Sequence, residues 1–197
     1  MIDCREIPVA DNVEQAVATA VRDGAIIMRS CINVDAFIEL MQKDMGGTIV
    51  SGSRNEFCQK LREQESADFD IIRSIEQANT GHGQAPYSHA RLTTFETAHV
   101  LPPHVDNFPP SIGLTALLPI YHGGEVWLHT DDFPGKLSPD ALRVTHKSRY
   151  GPGDLMLLRQ SIPNLGKAAV IHSSNGVRLE SDNNQHLRLL FSLDTAR

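Results

Sequence analysis

Apolar positions along the chain keep helical spacing up to about residue 80 and strand-like alternation from about residue 90 onward. Asp11 or Asn12 caps the first helical stretch, where Val13, Ala16, Val17, Ala20 and Val21 form one stripe that ends at Gly24. The run Ala25-Ile-Ile-Met28 is short and β-branched, which predicts a strand ending near Ser30. Asn33 then caps a second helix, with Phe37, Ile38, Met41 and Met45 on one side and Gly46-Gly47 as its stop. Two more helical stretches are predicted at residues 55–64 and 67–79, the second carrying Phe69, Ile72 and Ile75 on one face. Residues 80–89 hold several breakers and little apolar content, so they read as a loop.

Beyond that loop the chain becomes a series of short β-like runs, at residues 91–97, 112–120, 125–130, 141–147, 154–159, 167–173, 177–180 and 186–194. Turn clusters such as Phe133-Pro-Gly-Lys136, Gly151-Pro-Gly-Asp154 and Ser181-Asp-Asn-Asn184 separate them. Such spacing predicts a sandwich, jelly roll or barrel. No linker interrupts it, so we expect a single domain over residues 1–197, with residues 1–90 as a mostly helical cover and residues 91–197 as the β core. In the last strand Leu187, Leu189, Phe191 and Leu193 share one side, suited to packing under helices. His186, Arg188, Leu190 and Ser192 share the other, which turns a guanidinium toward the interior. Burying an Arg costs several kcal/mol, roughly, unless an anion meets it.

Composition narrows the class. A length of 197 residues with 41% hydrophobic content supports one well-buried core. The net charge of -6 disfavours a general phosphate-backbone binder, so no nucleic-acid partner is expected. Three cysteines, Cys4, Cys31 and Cys58, make no Cys-x-x-Cys pair, and Cys31 and Cys58 lie in or near apolar runs as small hydrophobes. That usage, with a start that lacks a leader pattern and no apolar run of membrane-spanning length, predicts a soluble cytoplasmic protein without a membrane partner.

The candidate chemistry centres on residues 91–130. His104-Val-Asp106 follows a β-like run through a Pro-Pro bend, and period-2 alternation at a strand end would bring the imidazole and the carboxylate to one point. One more imidazole would complete a metal site. Two His and one carboxylate on one face of an ion leave open positions opposite, which suits non-haem Fe(II) oxygen chemistry. An apolar strand, the Gly123-Gly124-Glu125 turn, and a later His and Arg in the final strands complete the pattern. Over residues 91–194 this resembles the Fe(II)/2-oxoglutarate-dependent dioxygenase superfamily, whose core carries a His-x-Asp, a distal His and an Arg downstream of it.

The resemblance implies a mainly β fold with N-terminal helices, a double-stranded β-helix (jelly-roll, cupin-like) core with helices packed on one sheet. It makes His104, Asp106 and His172 the catalytic iron ligands, and Arg188 the holder of the distal carboxylate of 2-oxoglutarate, which its fork can meet with two parallel hydrogen bonds. Thr93, Thr94 or Ser192 would add a hydroxyl to that carboxylate. Arg178 is the competing anchor, disfavoured by its place near an Asn-Gly turn, and His186 is the fallback ligand. Two features depart from the pattern: a longer segment separates Gly153-Asp154-Leu155 from His172, and Leu190 stands where one large branch has Ser two residues after the Arg.

The implied cofactors are Fe(II), 2-oxoglutarate as cosubstrate, and O2, and the implied reaction is oxidation of a C–H bond of a small-molecule substrate, by default hydroxylation, with release of succinate and CO2. Asp106 argues against a halogenase, in which a small residue replaces the carboxylate. A lid is expected from residues 80–89 or 131–139. The remaining histidines, His82, His89, His99, His122, His129 and His146, read as solvent-facing, with His129 and Trp127 as candidate substrate-wall residues. Three other readings stand beside this one: a nucleic-acid or protein demethylase-type oxygenase on the same fold, a cupin-like metal or small-ligand binding protein without 2-oxoglutarate turnover, and a β-sandwich interaction module.

Overall fold

A computed structural model describes residues 4–45, 63, 65–80, 89–95, 100–108, 112–120, 123–131, 142–176 and 184–192. Helix α1 spans Val13–Asp23. Asn12 caps it by accepting from the Gln15 backbone N–H at 2.9 Å, and the Gln15 side chain reaches back to the Asp11 N–H. Its end is set by Gly24, at φ 107, whose N–H donates to Ala20 O. A Cβ there would also sit 2.7 Å from Val170 Cγ2, so both backbone and packing require glycine. Arg159 donates to the carbonyls of Val21 and Arg22, placing a cation on the negative end of the helix. Strand β1 (Ala25–Met28) follows at once, then α2 (Val34–Met45), where Asn33 accepts from the Asp35 N–H. A 3₁₀ turn at Ala67–Phe69 leads into α3 (Asp70–Thr80).

The strands are β2 (His89–Phe95), β3 (Val100–His104), β4 (Ile112–Pro119), β5 (Gly124–Asp131), β6 (Leu142–Tyr150), β7 (Leu155–Arg159), β8 (Ile171–Gly176) and β9 (Asn184–Ser192). They form two antiparallel sheets, one ordered β1-β7-β4-β9-β2 and the other β3-β8-β5-β6. Alternation splits the larger sheet between two cores. Ile26, Met28, Leu114, Ala116, Leu118, Leu155 and Leu157 pack against Ala16, Val17, Ala20, Phe37, Phe69, Ile72 and Ile75 of the helical layer. Ala25, Ile27, Met156 and Leu158 face the other way and meet Val126, Leu128 and Tyr150 of the smaller sheet. This is the expected jelly-roll core with helices on one sheet.

The lead segment closes one margin of the sandwich. Arg5 bridges His146 of β6 and Val9 bridges Ile27 of β1, so a few residues link the outermost strands of the two sheets. Ile7, which is buried, donates its N–H to Ser148 Oγ between those bridges. Asp154 ties the β6–β7 turn to the end of β1, accepting from the Ser30 and Gly151 N–H groups and from Arg29.

Several predicted boundaries move for identifiable reasons. Strand β3 runs through Pro102-Pro103, which period and propensity would exclude; it lies at the edge of its sheet, where a missing N–H is tolerated. The run predicted at 167–173 begins only at Ile171, because a 3₁₀ turn, left-handed Gly166 and the Ile162–Lys167 bridge form a tight hairpin first. The stripe of α2 includes buried Leu40. The predicted helix at 55–64, apart from Glu63, and the predicted strand at 177–180 lie outside the described residues, as do Cys58, Arg178 and the loop at 81–88. No helix among the described residues is long and apolar enough to cross a membrane.

Candidate metal centre

Strand pairing brings the two histidines of the candidate site side by side. His104 ends β3 and lies opposite His172 of β8, which in turn lies opposite Leu128 of β5 on the face turned to the larger sheet. Their ring centroids are 4.4 Å apart with planes tilted by 49°. The chain leaves β3 after His104 and returns Asp106 toward both rings. One carboxylate oxygen is 4.0 Å from His104 Nε2 and the other 3.9 Å from His172 Nε2. The ligand atoms of the three residues lie within 4.8 Å of one another. The side chains of Asp106 and His172 are nearly buried, 5% and 4% exposed, while His104 at 31% opens the site to one side.

Hydrogen bonding orients both rings. His104 Nδ1 lies 2.8 Å from Pro102 O and His172 Nδ1 3.2 Å from Val170 O. A carbonyl oxygen only accepts, so each Nδ1 carries a proton, which leaves Nε2 as the ring atom that can offer a lone pair to a metal. Two such lone pairs and a carboxylate then face one another across gaps too long for hydrogen bonds. Acceptors converging on one point call for a cation between them, and ligand atoms each about 2.1 Å from an ion stand at most about 4.2 Å apart, a limit that the two carboxylate-to-imidazole separations meet. The donor set therefore fits a divalent metal with imidazole and carboxylate ligands.

Comparison with known proteins bears on the fold that carries this cluster. A Pseudomonas putida prolyl-4-hydroxylase superimposes with a TM-score of 0.52 at 14% identity, covering 95% of this chain and 97% of that one. An oxidoreductase of the 2OG-Fe(II) oxygenase family from Burkholderia pseudomallei gives 0.57 at 12% identity, over 96% and 95%. The chain has the 2OG-Fe(II) oxygenase fold. The epimerase SnoN from nogalamycin biosynthesis, solved with Fe3+, α-ketoglutarate and nogalamycin RO, gives 0.55 at 13% identity, over 92% and 83%. No protein-family model matches the sequence, and no curated protein matches it either.

Two residues that sequence reasoning missed support the cluster within this oxygenase fold. Gln160 is buried just past β7 and donates its amide to Asp106 at 3.3 Å and to Thr115 Oγ1 at 2.9 Å. Thr115, fully buried in β4, in turn donates toward Leu158 O. A signal existed: Thr115 interrupts the apolar run Leu114 to Leu118, and Gln160 continues the inward parity of Met156 and Leu158.

The other predicted site residues lie on the paired strands β2 and β9. Arg188 stands opposite Leu117 of β4 and Arg91 of β2. Leu117, which shares that register row, packs with the core between the sheets. Thr93 pairs with His186, two residues along β2 from Arg91, and Ser192 pairs with Ile112 beside a register shift. His89 begins β2 instead of ending a loop.

Trp127 and His129 are not substrate-wall residues. They alternate with inward Val126 and Leu128, and so sit on the outer face of the smaller sheet. There His129 Nε2 lies 2.8 Å from Ser173 Oγ, and Trp127 Nε1 donates to Glu125. Burial pushes the His129 imidazole below its ordinary range. His146, read as solvent-facing, is half-buried opposite Leu128, and burial followed by nearby Arg5 pushes it in the same direction.

Proposed function

We propose that this protein is an Fe(II)- and 2-oxoglutarate-dependent oxygenase that oxidises a C–H bond of a small molecule, by default to an alcohol, with release of succinate and CO2. The observation that carries this reading is the convergence of His104, Asp106 and His172 inside a fold shared with the 2OG-Fe(II) oxygenases. In this reading the two imidazoles and the carboxylate would hold Fe(II), a ligand set suited to chemistry with dioxygen. The bound iron supplies redox activation of dioxygen at the expense of the cosubstrate. Arg188 takes the distal carboxylate of 2-oxoglutarate, with Thr93 or Ser192 as the supporting hydroxyl. Gln160 restrains Asp106 from rotating, and the carbonyls of Pro102 and Val170 keep both Nε2 atoms aimed at the metal. A reduced cytoplasmic setting accords with the free thiols of Cys4 and Cys31, the latter raised to about 11 by burial and so a poor nucleophile.

The test is an anaerobic titration of the Fe(II)-loaded protein with 2-oxoglutarate, followed by visible absorption. A metal-to-ligand band that vanishes in His104→Ala and weakens in Arg188→Ala is the expected result. Metal binding without any such band in the unmodified protein would identify a cupin-like binding protein instead, and a normal band in both variants would refute the residue assignments.

A further inference from the structure

Gln160 meets the metal centre with one edge of its amide. Its backbone is fixed beside β4, where its N–H donates to Gly113 O at 2.8 Å, and the residue is only 3% exposed. Nε2 donates to Asp106 Oδ2 at 3.3 Å and to Thr115 Oγ1 at 2.9 Å. Chemistry makes this the N–H edge: a carboxylate only accepts, and the Thr115 hydroxyl gives its own proton to Leu158 O. Turning the amide over would set its oxygen against the carboxylate. The other end of the amide is different. Oε1 is buried, and among the described residues nothing donates to it. A buried carbonyl oxygen without a donor costs stability, and native interiors keep few of them. The two ends of an amide are about 2.3 Å apart, so Oε1 lies within about 5.6 Å of Asp106 Oδ2.

We propose that Gln160 Oε1 accepts a hydrogen bond from a water bound to the metal ion beside Asp106, so that one amide holds both a ligating carboxylate and the neighbouring coordination position. This rests on the reading of His104, Asp106 and His172 as an iron site. Two arguments carry it. The first is the supply of donors. A metal ion, dioxygen and doubly ionised 2-oxoglutarate have no hydrogen to give, whereas a water on a divalent cation is acidified and donates strongly. The second is spacing. Ligand atoms at right angles on an ion, each about 2.1 Å from it, stand about 3.0 Å apart, close to the about 2.3 Å that separates the two ends of an amide. A donor and an acceptor side by side thus match an acceptor and a donor on adjacent positions. Gln160 is in this role a positioning residue. It makes one open position slower to release its water than the others, and incoming ligands take the others first.

The experiment uses the full chain saturated with Mn(II) and measures the nuclear relaxation of solvent water, which counts the waters on the ion and times their exchange. Gln160→Met removes both ends of the amide at nearly constant volume. It is expected to speed exchange of one water by about threefold or more while leaving the number of bound waters unchanged. Gln160→Glu keeps an oxygen acceptor but loses the N–H on Asp106, and should retain the slow exchange. Melting of the metal-free proteins checks folding. Thr115→Val, which frees one amide N–H without removing Oε1, should speed exchange by a smaller factor and takes the place of Gln160→Met if that variant does not fold.

Equal exchange in the unmodified protein and Gln160→Met would overturn the proposal and leave Oε1 to a hydroxyl of the substrate. Exchange in Gln160→Glu as fast as in Gln160→Met would also overturn it, because the effect would then come through the restraint on Asp106 alone. Failure of the unmodified chain to bind Mn(II) would remove the oxygenase reading and this inference together. Binding of Mn(II) and 2-oxoglutarate with equal water exchange in all the proteins would remove only the inference.

Discussion

The inward face of the larger sheet has two unlike halves. On β1 and β7 it presents Ala25, Ile27, Met156 and Leu158, all at most 2% exposed and packed against Val126, Leu128 and Tyr150. The register rows that run from Leu117 and Pro119 into β9 and β2 hold Arg188 with Arg91 and His186 with Thr93. Strand geometry is the same in both halves, yet one is apolar along its register rows and the other carries basic and hydroxyl-bearing residues in them. The boundary runs along β4, whose inward residues change from Leu117 to Thr115 as they approach Asp106. Burial of the first half supports the fold.

Substitutions in the two halves should separate stability from binding, and the largest effect belongs to the metal centre. Asp106→Ala removes the carboxylate shared by both imidazoles, and should weaken Co(II) binding, followed by its visible absorption, by more than about 100-fold. Melting of the metal-free protein should change little by comparison. Met156→Ala is the converse. It empties a fully buried position between the sheets and should cost about 3 kcal/mol in a urea titration while leaving Co(II) affinity unchanged. A large loss of metal affinity in Met156→Ala would mean that the two halves are not separable.

A smaller effect is expected where the halves meet. Gln160→Leu removes the amide that holds Asp106 and should weaken Co(II) binding by about tenfold. Thr115→Val, which releases Gln160 from its own anchor, should reproduce part of that loss. Equal Co(II) affinity in all three proteins would assign Gln160 to packing alone.

The smallest effect is a shallow pH dependence from the other sheet. His129 and His146 are held below the ordinary imidazole value of 6.5, first by burial. The unfolded chain therefore binds more protons than the folded one as pH drops below about 6.5, so the stability these groups contribute is complete above that value and is lost progressively beneath it. Melting temperature should be lower at pH 5.5 than at pH 7.5, and His129→Asn should reduce the difference. An unchanged difference in that variant would place the titration elsewhere.

Much of the architecture was legible because periodicity is a physical record of which side is buried. Helix α1 with its Asn12 cap and strands β1, β4 and β7 follow from alternation and capping. The pair His104 and Asp106 was legible as a His-x-Asp at a strand end, whereas His172 came only through a resemblance, since His104 and His172 are 68 positions apart and meet through sheet order, which local pattern does not encode. Strand β3 was hidden by its prolines. Trp127 and His129 were misjudged because the run Val126 to Thr130 alternates without saying which side faces the other sheet; packing of Val126 and Leu128 decides it. Gln160 was missed because its value lies in a hydrogen bond across 54 residues.

The segment from Arg5 to Ala10 stitches the rim of one sheet to the rim of the other through β6 and β1. A sandwich sewn shut along that seam cannot splay there without tearing backbone hydrogen bonds. Among the described strands any parting of the two sheets is left to the far rim, where β2 and β3 stand and His104 is the most accessible of the three converging side chains.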